Sequence, residues 1–491
     1  MAARFFLAFD LGASSGRTIL GTLEAGRLSI RELTRFPNEM IEICGHLHWN
    51  IAQLYQELKR GMSACAQEGV RPESLALDTW GVDFGLLASD GSLLGLPYAY
   101  RDPRTQNASE EFFRLVPRRQ VYELTGIQFM PINSLFQLYA MVRDGSPLLK
   151  VTDRLLMIPD LLNYFLTGEK KTEFTIATTS QLYNPNEHAW AAELFSTLGI
   201  SPRIMPPIVQ PGPVLGSLRR PICQETGLPE TPVVATASHD TASAVAATPA
   251  DGTGWAYISS GTWSLVGFES KRPIIKDQAF EANVTNEGGV EGTFRVLKNV
   301  TGLWLVQECR RAWARERVYS YEELAEMATA APSFTSLIDP DHPAFMNPSD
   351  MPGTICRYCE STRQPLPETP AEFARCIFEG LALKSRMVLD QLRQLTREPI
   401  RLMHIIGGGS QNETLCQFTA NATGLPVVAG PTEATAIGNL LVQAIGLGYV
   451  SSLAQLREIV RQSFALKRYE PQDSADWQAA YDRFQGLTPT A

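Results

Sequence analysis

The chain opens with an apolar run, Phe5 to Phe9, that stops at Asp10. Leu11 to Gly16 then supplies glycine and small polar residues, and Thr18 to Leu23 resumes the alternation of a strand. A second turn at Glu24 to Arg27 leads to a third strand. From Ile51 to Ala66 the apolar positions Ile51, Leu54, Tyr55, Leu58 and Met62 fall at helical spacing. Ser74 to Trp80 reads as a buried strand, and Phe84 to Tyr98 as a hairpin around Asp90-Gly91. The predicted order is β-β-β-α-β, a mixed sheet carrying a helix.

A similar opening recurs near the middle. Gly254 to Ile258 leads through Ser259 to Thr262 into Trp263 to Phe268, again strand, small polar turn, strand. The recurrence suggests duplication of one architectural unit, with residues 1–245 and 246–491 as two domains. Farther on, Ile400 to Ile406 predicts a strand ending in Gly407-Gly408-Gly409-Ser410, with a helix through Asn421. The strand Pro426 to Ala429 and a small-residue helix, Glu433 to Gly446, complete an α/β unit suited to a ligand at the strand ends.

Composition narrows the picture. At 491 residues the chain exceeds what one ordinary core organises. Hydrophobic residues at 44% against 19% charged describe a folded, soluble protein. A net charge of −9, with no basic run interleaved with aromatics, argues against nucleic acid and for a small-molecule partner. The opening MAARFFLAFDLG turns polar too soon for a signal peptide or membrane span, so a cytoplasmic protein without a membrane partner is expected. Eight scattered cysteines then imply reduced thiols. Cys356 and Cys359 lack the second ligand pair of a zinc site and receive no role.

Three motifs carry candidate chemistry. In Asp10 to Arg17, Gly12 and Gly16 permit close backbone approach, Ser14 and Ser15 offer hydroxyls and amides, and Arg17 adds positive charge. Together they form a plausible phosphate cradle, beside which Asp10 could hold Mg²⁺ directly or through water. A hairpin turn with a surface arginine is the plain alternative. In Thr236 to Ser243, Ser238 could cap the helix that follows, placing His239, Asp240 and Thr241 in its first turn. There the helix N-terminus would keep Asp240 ionised, as a base accepting a hydroxyl proton requires; simple capping is the alternative. Gly407 to Gly409, followed by Gln411 and Asn412, would let a flat or phosphate-bearing ligand lie on the backbone. The P-loop signature, the protein-kinase loops and H-E-x-x-H are all missing from the sequence.

Taken in order, Asp10 to Arg17, Asp78 to Asp83, Tyr100 to Asp102, Ile127 to Pro131, Ala237 to Ser243, Ser259 to Ser264, Asn286 to Gly289 and Lys298 to Trp304 resemble the FGGY family of carbohydrate kinases over nearly the whole chain. The resemblance implies an α/β fold of two ribonuclease-H-like domains of the actin/hexokinase type, with mixed sheets flanking a cleft. It implies ATP and Mg²⁺ as cofactors, a sugar as substrate, and a monomer or homodimer. Ala13, Ser14, Ser15, Gly16, Arg17 and Thr262 would meet the ATP phosphates, and Gln307 and Gly408 would complete the nucleotide site. Gly81, His239, Asp240, Thr241 and Asn299 would contact the sugar, with Asp240 the proton acceptor. Trp80 and Asp83, beside Gly81, would help to shape the pocket. Fuculokinases carry Ala-Thr-Asn where this chain has Ala13-Ser14-Ser15, which tilts the expected ketose away from L-fuculose. A non-catalytic sugar or nucleotide sensor and a filament-forming actin relative are the readings from other classes.

Overall fold

The computed structural model describes residues 2–346 and 348–487. The chain forms two compact units, neither continuous in sequence. Met1–Ala247, Glu269–Val296 and Thr435–Ser463 make the first; Thr248–Phe268, Leu297–Ala434 and Phe464–Ala491 make the second. The expected single boundary near residue 245 thus marks the end of one long segment, after which the chain returns to the first unit twice.

The first unit is built on a six-stranded sheet in the order Val214–Ser217, Pro232–Val234, Ser74–Thr79, Arg4–Leu11, Ser15–Glu24, Arg27–Pro37. The three opening strands run antiparallel, while Ser74–Thr79 lies parallel to both Arg4–Leu11 and Pro232–Val234. Phe6, Leu7, Ala8, Phe9 and Leu11 are fully buried, the mark of a central strand covered on both faces. The helix Ile51–Gln67, capped by Asn50, packs over Thr18, and Gly61 leaves room for that threonine. Gly21, three residues on and so facing the other way, packs against Leu440 of the helix Ala434–Gly446. Asn439 and Gln443 stitch this returning helix to the sheet: Asn439 Nδ2 donates to Asp78 Oδ2 at 2.6 Å, and Gln443 Nε2 donates to the Leu7 carbonyl at 3.1 Å.

The expected hairpin at Phe84 is only partly formed. Asp90-Gly91 makes the turn, with Ala88 N–H donating to the Ser92 carbonyl at 2.8 Å, yet the strand Phe84–Leu87 pairs with the distant Arg154–Met157. Gly95 and Pro97 interrupt the returning arm, whereas Leu155, Leu156 and Met157 offer an apolar partner buried to the same depth.

The second large sheet has seven strands, in the order Thr285–Gly288, Phe294–Thr301, Trp263–Ser270, Trp255–Ser260, Leu402–Ile406, Val427–Ala429, Lys467–Tyr469. Trp255–Ser260 pairs antiparallel with the strand after it and parallel with Leu402–Ile406. Apart from the edge strand Thr285–Gly288, in both sheets the order is therefore third, second, first, then a parallel fourth and fifth strand with an antiparallel edge. The duplication suggested by the two openings is a duplication of topology. Among the described residues, no helix is long and apolar enough to cross a membrane.

Gly438 marks where two helices of the first unit meet most closely, since a Cβ there would lie 1.8 Å from the Ser243 carbonyl oxygen. Because backbone, unlike a flexible side chain, cannot swing aside, Gly438→Ala should destabilise the protein by about 1–3 kcal/mol. A lowered thermal unfolding midpoint is expected, and an unchanged one would show that the helices can part freely.

Candidate active site

Asp240 stands where the chain passes from the strand Pro232–Val234 into the helix Asp240–Ala246. The turn between them is held from two sides. Thr79 N–H donates to the Ser238 carbonyl at 2.9 Å. Opposite, Ser238 N–H donates to Glu173 Oε2 at 3.1 Å, and His239 N–H to Thr175 Oγ1 at 3.1 Å. The Thr175 hydroxyl in turn donates to Glu173 Oε2 at 2.5 Å, and Glu173 also caps the helix Phe174–Thr179 through the amides of Thr175 and Ile176. One buried carboxylate thus fixes both a helix start and the backbone that presents Asp240. Burial pushes the Glu173 carboxyl up to about 7, outweighing the hydrogen bonds that favour its charge.

The expected cap is corrected. His239, not Ser238, occupies the N-cap position, and the Ser238 hydroxyl donates instead to the Thr236 carbonyl at 3.3 Å. Asp240 Oδ1 accepts from Thr241 N–H at 2.5 Å and from Thr241 Oγ1 at 3.1 Å, with His239 Nε2 3.4 Å away. Among the described residues, no donor engages Oδ2, and the side chain keeps about 30% of its surface exposed. The expectation that the helix end keeps this acid strong is also corrected. Burial raises the Asp240 carboxyl above the usual range; His239 and the Thr241 bonds oppose this and Asp10 adds to it. A seven-residue helix offers less than desolvation takes away, and the raised value makes the carboxylate a better proton acceptor.

Asp10 sits on the next strand but one. It pairs in register with Asp78 on the parallel side and with Arg17 on the antiparallel side, where Arg17 Nη2 donates to Asp10 Oδ2 at 2.5 Å. Asp78 is fully buried; one oxygen accepts from Asn439, the other has no hydrogen-bond partner, and burial followed by the nearby Asp10 charge holds its carboxyl well above the usual range. The turn after Asp10 is closed by Gly12 N–H donating to the Ser15 carbonyl at 2.9 Å and by Asn38, whose side chain donates to the Gly12 carbonyl at 2.8 Å. Ala13 and Ser14 form the tip, and among the described residues neither amide finds an acceptor. Gly16 makes room for the ring of Phe36: a Cβ there would lie 2.2 Å from its Cζ.

The stretch Trp80 to Asp83 is a tight turn with the β-branched Val82 at φ +67°, a strained conformation held by Thr179, Ser134 and Gln137. A Cβ on Gly81 would press on Thr179 at 3.1 Å. Asp83 lies beneath. Its carboxylate accepts from Trp49 Nε1 at 2.6 Å, Trp80 Nε1 at 2.9 Å, Gln137 Nε2 at 2.8 Å and Tyr100 N–H at 3.1 Å, while burial pushes it up to about 6. With so many donors already bound, Asp83 orients the stacked indoles of Trp49 and Trp80, 4.2 Å apart, from behind.

The second unit carries the remaining residues. Thr262 lies in the turn between Trp255–Ser260 and Trp263–Ser270, bracketed by Gly302 and Trp304, whose amides donate to its carbonyl at 3.1 and 3.2 Å. Gln307, one turn into the helix Trp304–Trp313, accepts from Thr262 Oγ1 at 3.3 Å. Gly407 at φ +82° and Gly409, whose Cβ would strike Ser260 Oγ at 2.0 Å, fold the glycine turn against the same strand end. Gly408 is exposed, with nothing within 4 Å of where a Cβ would stand. Thr262, Gln307 and Gly408 thus gather around one strand end. Asn299 lies half-buried on Phe294–Thr301 of the same sheet.

Sequence reasoning passed over Glu173, Thr175, Glu287 and Arg295. The last two surround His239, with Arg295 Nη2 2.9 Å and Glu287 Oε2 3.3 Å from its Nδ1. The stretch Asn286 to Gly289 stood among the resembling motifs, but nothing in its pattern pointed to a role.

This fold is that of two-domain sugar kinases. It is similar to xylulose kinase from Lactobacillus acidophilus, at 16% identity over 99% of this chain and 97% of that one, TM-score 0.82. Plasmodium falciparum glycerol kinase with ADP is similar at 13% identity over 99% and 98%, TM-score 0.80. Residues 5–247 match the N-terminal domain and residues 256–447 the C-terminal domain of the FGGY family of carbohydrate kinases, and the chain belongs to that family. Its relatives include the rhamnulokinase of Bacteroides thetaiotaomicron, 49% identical over 98% of both chains, and that of Bacillus subtilis, 41% identical over 95% of this chain and 96% of that one.

The Glu173 carboxyl is weaker folded than unfolded, so the folded state holds its proton more tightly. Its contribution favours folding at low pH and declines as pH rises from the unfolded value to about 7. The loss is roughly 3 kcal/mol. Glu173→Gln removes this titration. Between about pH 5 and 8 the melting temperature of the parent should fall relative to that of the variant; parallel profiles would refute the assignment.

Proposed function

We propose that this kinase transfers the terminal phosphoryl group of ATP to the primary hydroxyl of L-rhamnulose, forming L-rhamnulose 1-phosphate, with Asp240 as general base. The observation that carries the chemistry is the asymmetry of the Asp240 carboxylate: Oδ1 is held by Thr241, while Oδ2 is exposed and unengaged among the described residues. The sugar's identity draws support from relatives named rhamnulokinase at 40–49% identity over nearly the full chain.

In this reading Asp240 Oδ2 accepts the hydroxyl proton as the oxygen attacks the γ-phosphorus, and the bond to the leaving ADP oxygen breaks. Phosphoryl transfer asks the protein chiefly for alignment and for charge stabilisation. Ala13 to Arg17 and Thr262 are assigned to the phosphates, Gln307 and Gly408 to the remainder of the nucleotide. Gly81, His239, Thr241 and Asn299 are assigned to the sugar, and Trp80, held by Asp83, to the wall of its pocket. Mg²⁺ suits Asp10, which retains one oxygen not taken by Arg17. When bound, the ion neutralises charge on the phosphate oxygens. A carboxylate without a full protein cage is compatible with a Mg²⁺ ion shared with substrate phosphates. A cytoplasmic monomer or homodimer accompanies this reading.

Asp240→Asn should keep sugar binding, read by calorimetry, and lose at least about two orders of magnitude in turnover; near-normal turnover would sink the base assignment. A coupled assay across L-rhamnulose, L-fuculose, L-xylulose and glycerol is expected to favour L-rhamnulose. Preference for another of these moves the substrate, and no ketose-dependent ATP consumption at all would favour a sensor.

A further inference from the structure

Arg295 is the largest charged side chain with no exposed surface. It lies on Phe294–Thr301, where Nε donates to the Gly288 carbonyl at 2.8 Å and Nη2 stands 3.1 Å from Glu287 Oε2. Burying a guanidinium demands a counter-charge, and Glu287, itself 5% exposed, supplies it. Burial alone would weaken the Glu287 acid, yet above all the Arg295 charge holds it below the usual carboxylate range. Glu287 therefore stays ionised beside the guanidinium.

The same Nη2 reaches His239 Nδ1 at 2.9 Å with hydrogen-bond geometry. Glu287 Oε2 is also near Nδ1, at 3.3 Å, but makes no aligned hydrogen bond. A guanidinium can only donate, so Nδ1 must accept, and a neutral imidazole then carries its proton on Nε2. That nitrogen faces Asp240 Oδ1 at 3.4 Å.

We propose that Arg295, steadied by Glu287, is a positioning residue that holds His239 as its neutral Nε2–H tautomer. The Nε2–H, 3.4 Å from Asp240 Oδ1 without an aligned hydrogen bond, then adds positive polarity on the Oδ1 side and leaves Oδ2 as the basic atom. The array Glu287–Arg295–His239–Asp240 runs through one compact unit and joins residues nearly sixty positions apart. It rests on the reading of Asp240 as base for its effect on catalysis, but the tautomer itself does not.

The first measurement is the imidazole ¹⁵N spectrum of the full-length enzyme labelled at histidine, with His239 assigned by the loss of its signals in His239→Gln. A protonated Nε2 and bare Nδ1 near neutral pH are expected; an Nδ1–H tautomer or a doubly protonated ring overturns the proposal without any variant of the buried arginine having to fold. The second is a kinetic cycle. Arg295→Met should lower kcat about 10- to 100-fold, and Arg295→Lys, which keeps a donor, should recover part of that loss. In an Asp240→Asn background, Arg295→Met should cost almost nothing further, because its effect passes through the base. Equal losses in both backgrounds would reduce Arg295 to a structural group. If Asp240→Asn itself retained turnover while the spectrum showed Nε2–H, the base assignment would fail and the tautomer would stand.

Discussion

Glu173 lies fully enclosed and accepts hydrogen bonds from three backbone amides and one hydroxyl. Two of those amides open the helix Phe174–Thr179, and one belongs to Ser238, two residues before the candidate base. Amides at a helix start and in a turn have no partner of their own, and leaving them buried and unpaired would cost on the order of 1–3 kcal/mol each. A single carboxylate answers both needs, so the helix and the turn are located by the same atoms. The position of Asp240, its bond from Thr241, and the approach of His239 all follow from that shared anchor.

Around this anchor the first unit gathers buried acids whose environments differ in ways that separate their roles. Asp83 is saturated by indole, amide and backbone donors and serves as a bracket for aromatic rings. Asp78 has one oxygen without a partner, and burial beside Asp10 favours its protonated form. Asp10 is balanced by Arg17 across the strand pair. Of these acids, among the described residues only Asp240 combines a raised proton affinity with an unengaged oxygen on a partly exposed side chain. Carboxylates of one chemical kind thus meet different environments, set by burial and by the number of donors each meets.

The two sheets share one strand order but put the equivalent turn to different use. After Asp10 the turn carries two serines and ends at Arg17; after Ser260 it carries Thr262, which is tied to Gln307 and stands by the glycine turn that follows Leu402–Ile406. In each case the first strand is flanked by an antiparallel second and a parallel fourth, so the turn emerges at the end of the sheet where neighbouring strands also stop. Ligand sites in mixed α/β sheets favour such places, because backbone donors there are not used by the ladder.

Local pattern determined much of this in advance. The alternation of the opening strands, the helical spacing from Ile51, the repeated strand-turn-strand, the glycine turn at 407–409 and the Asp240 turn were all legible, since each depends on residues close together in the chain. The hairpin at Phe84 was misread because a distant strand competed with the nearby one, and the cap at Ser238 because its hydroxyl turns back to the Thr236 carbonyl while the distant Glu173 holds its amide. Only the tertiary structure could decide that the chain re-enters its first unit after residues 268 and 434, that Asn439 meets Asp78, or that Gly16 faces Phe36. It alone could bring Arg295 to His239 and set the proton affinity of Asp240, because desolvation and charge pairing are properties of the packed neighbourhood, which linear order does not contain.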